Sequence, residues 1–364
     1  MNGITITQVR VVDGDRLSEL TELYLEDGIF SPAPTEQPQI IDGGGATLIP
    51  GLIDAHAHVD SVEQLEQMIS AGVTTILDMG APDTDRVNRL RAIPGLPHLR
   101  SALAPASAPG AFPTALAGFP SDSVVAGPED AERAVEQRVA AGADYLKIIV
   151  EDPRIPPHAT LDVATIQALT NAARSRGLTS IAHASAYAAV VNAIDGGVDV
   201  LTHVPLDRPI DTALAERIAT SGITVVPTLI MMRGVAEAVS RMRPGAVSYD
   251  NAVASVAALR KAGVKLAVGT DANAGAGSIN RVAHGTSLHD ELELLVEAGL
   301  SPAEAIAAAT RHPASIFGLP NRGSVTAGFR ADFLLLQGDP TQSIGVIRNS
   351  RRIFLAGIEQ KLEN

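Results

Sequence analysis

The chain has 364 residues, of which 46% are hydrophobic and 19% are charged, and this composition excludes an intrinsically disordered protein. Its formal net charge of −13 would repel a nucleic-acid backbone, and no apolar stretch approaches the ~18 uncharged residues of a membrane span. Cysteine is absent, so any metal ion must be held by histidine, carboxylate or modified lysine. We therefore predict a soluble globular protein that binds neither nucleic acid nor a membrane.

Both ends of the chain have the pattern of short strands separated by turns. Asp-Gly pairs stand between β-type runs in residues 4–47, which is a hairpin signal, and residues 323–336 and 346–357 have the same character. Neither segment is long enough to close a β core alone. We predict that residues 1–50 and 322–364 pair into one small composite β-sandwich domain.

Between these ends, apolar strands alternate with alanine-rich helical stretches. This alternation predicts an α/β fold, with a parallel TIM-type (β/α)8 barrel over residues 51–321 and the Pro/Gly-rich stretch 105–120 as a long loop over its mouth. An open doubly wound sheet is the alternative, but no glycine-rich dinucleotide fingerprint follows the first strand. The eight candidate strands are Leu52–Ala55, Val73–Asp78, Leu99–Ala104, Tyr145–Val150, Thr179–His183, Val200–His203, Thr224–Pro227 and Leu266–Thr270.

The first of these strands ends in two histidines, His56 and His58, with one residue between them. Because side chains alternate across a strand, both imidazoles should leave on one face, while Ala55 and Ala57 leave on the other. Two imidazoles side by side at a strand end can bind one metal ion. A lone His-x-His can also lie in a solvated turn, so the rest of the chain must decide between the two interpretations.

Four other strand ends carry further metal-site residues. In a barrel, functional groups lie at the carboxyl ends of strands, where His183, His203 and Asp271 end strands 5, 6 and 8. Strand 4 contains Lys147, whose buried ammonium must either deprotonate or find an anionic partner such as Asp78. Each residue alone has a structural explanation, as a packed histidine, a paired lysine or a helix cap. The occurrence of all six at strand ends instead predicts a metal site.

This order of residues resembles that of the amidohydrolase superfamily of metal-dependent hydrolases. Residues 50–58 match its opening signature, and residues 323–332 are similar to its closing β-domain signature. Residues 289–302 with 308–310 are similar to the imidazolonepropionase-like branch, which includes Xaa-Pro and other dipeptidases with binuclear centres. The resemblance extends over nearly the whole chain.

The resemblance implies two divalent metal ions, with zinc as the first expectation, and a role for each of the six residues. The shared hydroxide would be activated by both cations, and Asp271 would take its proton and pass it to the leaving nitrogen. Carried over position by position, the ligands are His56, His58 and Asp271 for the buried ion, His183 and His203 for the more exposed ion, and Lys147, as its carbamate, as the bridge.

The resemblance favours a hydrolase of an amide or peptide-like bond, in a dipeptide or an N-acyl amino acid. Lactone, carbamate or organophosphate ester hydrolysis on the same site is an alternative, because the branch covers these substrates too. A mononuclear deaminase would need no bridging lysine and usually has an acid just after the strand-5 histidine, whereas Ala184 follows His183. A non-catalytic binding protein would be expected to have degraded ligands, and none of the six is degraded.

The substrate pocket is less well specified than the metal site. Aromatic residues make up only 3% of the chain and tryptophan is absent, so few side chains are available to stack on a large planar ligand. We expect a small-molecule substrate, leave homo-oligomer formation open, and predict a cytoplasmic location because no basic segment precedes an apolar core at the start. The residues predicted to face substrate are Tyr187, Met231, Met232, Phe119 and His284, while His289 is predicted to pack against or cap the following helix.

Overall fold

The computed structural model describes residues 3–115, 118–152, 159–275 and 279–361, and it divides them into strands and helices that alternate through the middle of the chain. The strands are β1 Ile4–Asp13, β2 Arg16–Leu17, β3 Thr21–Glu26, β4 Ile29–Ser31, β5 Gln39–Asp42, β6 Thr47–Pro50, β7 Leu52–Ala57, β8 Val73–Asp78, β9 His98–Ser101, β10 Leu146–Ile149, β11 Ser180–His183, β12 Val200–Thr202, β13 Thr224–Val226, β14 Phe333–Leu336, β15 Ser350–Leu355 and β16 Ile358–Glu359.

The helices lie mostly between the middle strands, which confirms the predicted α/β class. The α-helices are α1 Val62–Ser70, α2 Thr84–Arg91, α3 Ala131–Ala140, α4 Val163–Ser175, α5 Tyr187–Asp195, α6 Thr212–Thr220, α7 Leu229–Met242, α8 Tyr249–Lys261, α9 Thr286–Glu297, α10 Pro302–Ala308 and α11 Arg311–Ile316. Short 3-10 helices cover Phe112–Ala115, Ser121–Ser123, Pro128–Asp130 and Ile344–Asn349. No helix in the described ranges has the length and apolar character needed to cross a bilayer.

Strands from both chain ends share one nine-stranded sheet. The long strand β1 pairs with β3 and β5 through its first half and with β6 further along, and β6 continues antiparallel to β14. A separate hydrophobic cluster packs here, in which Phe333 stacks on Phe354 with ring centroids 4.3 Å apart. The division into residues 1–50 plus 322–364 and residues 51–321 stays a prediction.

Seven of the eight predicted middle strands are present, as the parallel sheets β7-β8-β9 and β10-β11-β12-β13. The prediction of a strand over Leu266–Thr270 is wrong, because this segment forms only an isolated bridge to β13. Its backbone partners change along its length, since Ala267 N donates to Val225 O while Val268 N donates to Ala308 O at the end of α10. No regular ladder can therefore run along this segment.

Backbone hydrogen bonds nevertheless join the two parallel sheets on both sides. On one side, Ala55 N of β7 donates to Val268 O at 2.8 Å, in the segment that also contacts β13. On the other side, Ala106 N donates to Lys147 O at 2.8 Å, beyond the end of β9. The carboxyl ends of the parallel strands, where the predicted metal-site residues lie, are thereby connected around the molecule.

The register of β7 on β8 is irregular where the two histidines occur. Between Asp54 and Ala57, β7 has one residue more than β8, which is a β-bulge and changes the direction of the side chains. Ala55 and Ala57 consequently pack in different hydrophobic clusters, although strict alternation predicts that they share a face. The direction of His56 and His58 is set by this bulge rather than by simple alternation.

Candidate metal centre

Three imidazoles surround the carboxylate of Asp271. Asp271 Oδ1 lies 3.1 Å from Nε2 of His58 and 3.5 Å from Nε2 of His56, and Asp271 Oδ2 lies 4.0 Å from Nε2 of His203. Ligand atoms of His56, His58 and Asp271 all lie within 4.8 Å of one another. One carboxylate and two imidazoles at this spacing can share one metal ion.

A second pair of imidazoles lies beside the first group. His183 Nδ1 and His203 Nε2 are 3.0 Å apart, and the ring centroid of His203 is 5.0 Å from that of His56. Two nitrogens bound to one tetrahedral zinc ion at its usual bond lengths lie about 3.3 Å apart. The spacing of this pair therefore suits two ligands of a common ion.

The protonation of the histidines also suits metal binding. Burial holds the pKa of His56 and His203 well below the ordinary value, and it lowers the pKa of His183 as well. These rings are neutral at pH 7 and keep a nitrogen lone pair. Burial also acts to lower the pKa of His58, but the contact with Asp271 outweighs it and raises that pKa to about 9. A metal ion would have to displace this proton.

Lys147 is almost completely buried near these imidazoles. Its Nζ donates to Thr202 Oγ1 at 2.8 Å. Burial lowers the pKa of Lys147 to about 7, and the negative charges of Asp271 and Asp78 only partly oppose this shift. Asp78 itself bonds to Ser101 Oγ. A substantial fraction of the Lys147 amine is therefore neutral, and hence nucleophilic, near pH 7.

The second ring nitrogens of two histidines have partners that orient them. His58 Nδ1 lies 3.2 Å from Gly80 O, and because a carbonyl only accepts, this nitrogen donates and leaves Nε2 for a ligand. His203 Nδ1 lies 2.5 Å from Thr228 Oγ1. His56 Nδ1 is buried and has no hydrogen-bond partner among the described residues. The donor set fits a divalent ion such as zinc, which prefers imidazole and carboxylate ligands where thiolate is absent.

Asp54 connects the two chain segments that supply the first ligand group. Its Oδ1 accepts from the backbone N–H groups of His56 and Thr270, both at 3.1 Å, and its Oδ2 accepts from Thr270 Oγ1 at 2.7 Å. Asp271, which directly follows Thr270, has a left-handed backbone with φ of 56°. Asp54 thereby holds β7 and the turn at Asp271 in a common position, although it need not contact a metal ion.

Sequence reasoning missed these supporting residues, although weak signals existed. Asp54 lies inside the stretch 50–58 on which the resemblance was based, and Thr202 directly precedes His203. Thr228 follows the predicted strand Thr224–Pro227. A polar residue at the end of a buried strand, next to a ligand, is the pattern that could have identified them.

The residues predicted to face substrate have several different environments, and that role stays a prediction for each. The hydroxyl of Tyr187 donates to Asp211 Oδ2 at 2.9 Å. The guanidinium of Arg208 lies over the Tyr187 ring, with its Cζ 3.7 Å from the ring centroid. Met231 and Met232 are buried in α7, and Phe119 is half-buried.

His284 and His289 each contact a backbone carbonyl. His284 Nε2 donates to His58 O at 2.8 Å, so this ring supports the backbone of a predicted ligand, and it also lines a groove beside α1. His289 Nε2 donates to Ala71 O at 2.8 Å and so ties α9 to the end of α1. His289 therefore packs, but it lies inside α9 and contacts the end of α1, so the expectation that it packs against or caps a following helix is wrong.

Known proteins resemble this chain over most of its length. The model of the Amidohydrolase family matches residues 47–356. An uncharacterized protein of Mycobacterium tuberculosis is 27% identical over 363 residues, which cover 92% of this chain and 91% of that protein. An imidazolonepropionase of Deinococcus radiodurans is 28% identical over 192 residues, which cover 52% of this chain and 43% of that protein. The matched family range contains all six predicted metal-site residues.

The fold has solved counterparts as well. The structure of an Xaa-Pro dipeptidase with bound methionine in its active site aligns with a TM-score of 0.81 at 22% identity. The alignment covers 99% of this chain and 100% of that chain. At this level of identity, the likeness shows a common fold.

The pKa of His58 predicts how metal affinity depends on pH. Because the proton that Asp271 stabilises on His58 must leave before a metal ion binds, zinc affinity should rise by about tenfold per pH unit between pH 7 and pH 9. Competition with a calibrated zinc chelator at several pH values measures this dependence. An affinity that is constant over this range would show that no proton is released from His58.

Proposed function

Because the chain belongs to the amidohydrolase family and is therefore a metal-dependent hydrolase of small molecules, we propose that it cleaves an amide or peptide-like bond at a binuclear metal centre. The observation that carries this proposal is the proximity of two groups of imidazoles to the oxygens of one carboxylate. His56 and His58 lie nearest to Oδ1 of Asp271, whereas His203, whose Nε2 is 3.0 Å from His183 Nδ1, lies nearest to Oδ2. The substrate class is a dipeptide or an N-acyl amino acid.

The proposal includes a closed (β/α)8 barrel as the frame of this centre. Strands β7 to β13 would form seven of its eight strand positions, and the irregular segment 265–270, which is not a regular strand, would fill the gap between β13 and β7. Hydrogen bonds from Ala55 to Val268 and from Ala106 to Lys147 support this closure, as does the likeness to the Xaa-Pro dipeptidase fold. The nine-stranded sheet would form the composite β-sandwich domain, from residues 1–50 and 322–364.

His56, His58 and Asp271 would hold one divalent ion, and His183 and His203 would hold the other. When bound, two such ions supply an activated water molecule at neutral pH and polarise the scissile carbonyl. Asp271 would move the proton, and the position of its two oxygens, one nearest to His58 and the other nearest to His203, supports this role. Its carboxylate would accept the proton of the attacking water and deliver it to the leaving nitrogen.

Lys147 would bridge the two ions as its carbamate. The neutral amine attacks carbon dioxide, an N–C bond forms, and one proton leaves for solvent, which gives an anion with two oxygen donors. Burial and a pKa of about 7 support this reaction, since a buried ammonium could not remain beside two divalent cations. In the unmodified side chain, Lys147 Nζ donates to Thr202 Oγ1, so this hydroxyl would lie beside the carbamate as well.

Hydrolysis of a substrate panel tests the function directly. We expect the zinc-loaded protein to hydrolyse dipeptides or N-acyl amino acids faster than lactones or aryl esters, as kcat/KM values measure. Removal of metal by a chelator should abolish this hydrolysis, because the unassisted carboxylate cannot activate water enough at neutral pH. Full activity of metal-free protein would contradict the proposed mechanism, and a preference for lactones or esters would reassign the substrate class.

The variant Asp271→Asn tests the proton transfer. Because a general base acts chiefly in the transition state, kcat should fall by about 10²–10⁴-fold while KM changes little. Metal content must be measured in the same samples, since Asp271 is also placed as a ligand. Turnover equal to that of the wild type would show that another group transfers the proton.

The variant Lys147→Ala tests the bridge. We expect it to lose bound metal and activity together, and we expect propionate to restore part of both by placing a carboxylate between the two ions. The exposed Lys261→Ala serves as the control and should leave metal content unchanged. A crystal structure with two ions beside an unmodified Lys147 ammonium would refute the carbamate.

A further inference from the structure

Thr228 occupies the turn between β13 and α7 in a conformation that its own side chain does not favour. Its φ of 51° and ψ of 48° lie in the left-handed region, which β-branched residues rarely adopt. The residue is fully buried, and its hydroxyl contacts His203 Nδ1 at 2.5 Å. Surrounding structure must therefore hold Thr228 in place.

The use of this hydroxyl leaves the start of α7 without a local cap. A threonine just before a helix usually accepts hydrogen bonds from the first backbone N–H groups, which have no partner inside the helix. Thr228 makes no such bond, because its Oγ1 contacts His203 instead. The N–H groups of Leu229 and Ile230 need another acceptor.

Glu291 of α9 supplies that acceptor from 62 residues away in the sequence. Its Oε1 accepts from Leu229 N at 2.8 Å, and its Oε2 accepts from Ile230 N at 2.7 Å. The side chain is completely buried, so its carboxyl group belongs to the packed interface between α7 and α9. Neither catalysis nor metal ligation, as described above, uses this residue.

Both oxygens of Glu291 accept from backbone N–H groups, as a carboxylate does. Burial raises the pKa of Glu291 to about 8, and the bonds from Ile230 and Leu229 oppose this rise. With this pKa the carboxyl group is ionised only in part at neutral pH, and its ionised form is the one that the dipole of α7 favours. The amide of glutamine has the same shape but would present N–H donors to one of these N–H groups.

We propose that Glu291 is a positioning residue of the metal centre, whose carboxyl group holds the start of α7 so that Thr228 keeps His203 Nε2 directed at its ion. This inference rests on the proposed binuclear centre. A metal-ligating histidine depends on the partner of its other ring nitrogen for orientation, and loss of such a partner typically costs about 10–100-fold in metal affinity. Through Thr228, Glu291 controls that partner without touching the ion.

The test compares zinc affinities, measured by chelator competition with metal alone, in the wild type and in Glu291→Gln. The variant His203→Ala first identifies which of the two bound ions depends on His203. We expect Glu291→Gln to lower the affinity for that ion by about 10–100-fold. The affinity for the other ion should stay within about threefold of the wild-type value. The Co²⁺-loaded variant should show a changed visible absorption spectrum, which reports ligand geometry independently of activity.

Further variants separate positioning from general destabilisation. Ser301→Ala removes the cap of α10, so it should lower the melting temperature without weakening either ion. Thr228→Val replaces the hydroxyl by a methyl group and should reproduce the loss in affinity. Thr228→Ser keeps the hydroxyl and should therefore keep the wild-type affinity. The double variant Glu291→Gln with Thr228→Val should bind no more weakly than Thr228→Val alone, because both act through one contact. If Glu291→Gln does not fold, Glu291→Asp takes its place, because the shorter side chain moves the carboxyl group away from the N–H groups of Leu229 and Ile230.

Wild-type affinity for both ions in Glu291→Gln would overturn the inference, and so would an equal loss of affinity for both ions. It would also be overturned if the affinity losses of Glu291→Gln and Thr228→Val add up in the double variant. The proposed function has its own outcome in the same experiment, because it requires that the wild type binds two ions. If the wild type binds a single ion, the binuclear proposal fails, and the ratio of variant to wild-type affinity for that ion still tests Glu291.

Discussion

The candidate metal centre depends on one electrostatic constraint, the placement of the Asp271 carboxylate among imidazoles of which two, His56 and His203, are almost completely buried. Neutral imidazoles cannot compensate a carboxylate, and burial keeps His56 and His203 neutral. In the metal-free protein the compensating charge comes from the proton on His58, whose pKa rises to about 9. A divalent cation would compensate Asp271 more fully, so the arrangement of the site favours a metal ion over the proton.

Supporting contacts, each through backbone or hydroxyl groups, give these side chains their positions. Asp54 ties β7 to the turn at Asp271, and the bulge in β7 directs the two adjacent histidines. On the other side, Thr228 contacts His203 from a turn that Glu291 holds. Most of the proposed ligands thus lie at or just beyond the ends of parallel strands, whereas their orientation comes from residues that are not proposed as ligands.

The sequence predicts the candidate ligands better than it predicts the residues that support them. His183, His203 and Asp271 could be predicted as candidates because each polar residue ends an apolar run, which is a local signal. Glu291 could not, because its acceptor role depends on backbone N–H groups 62 residues away. The segment Leu266–Thr270 is apolar like a strand, but Val268 N bonds to Ala308 O at the end of α10, a tertiary contact that local propensity does not contain.

The most direct test of this account is an anomalous difference map, recorded above the zinc absorption edge from crystals of the zinc-loaded protein. A binuclear centre would give two peaks at about 2.0–2.1 Å from nitrogen ligands, one beside Nε2 of His56 and His58 and the other between His183 Nδ1 and His203 Nε2. A single peak, or peaks away from these nitrogens, would contradict it.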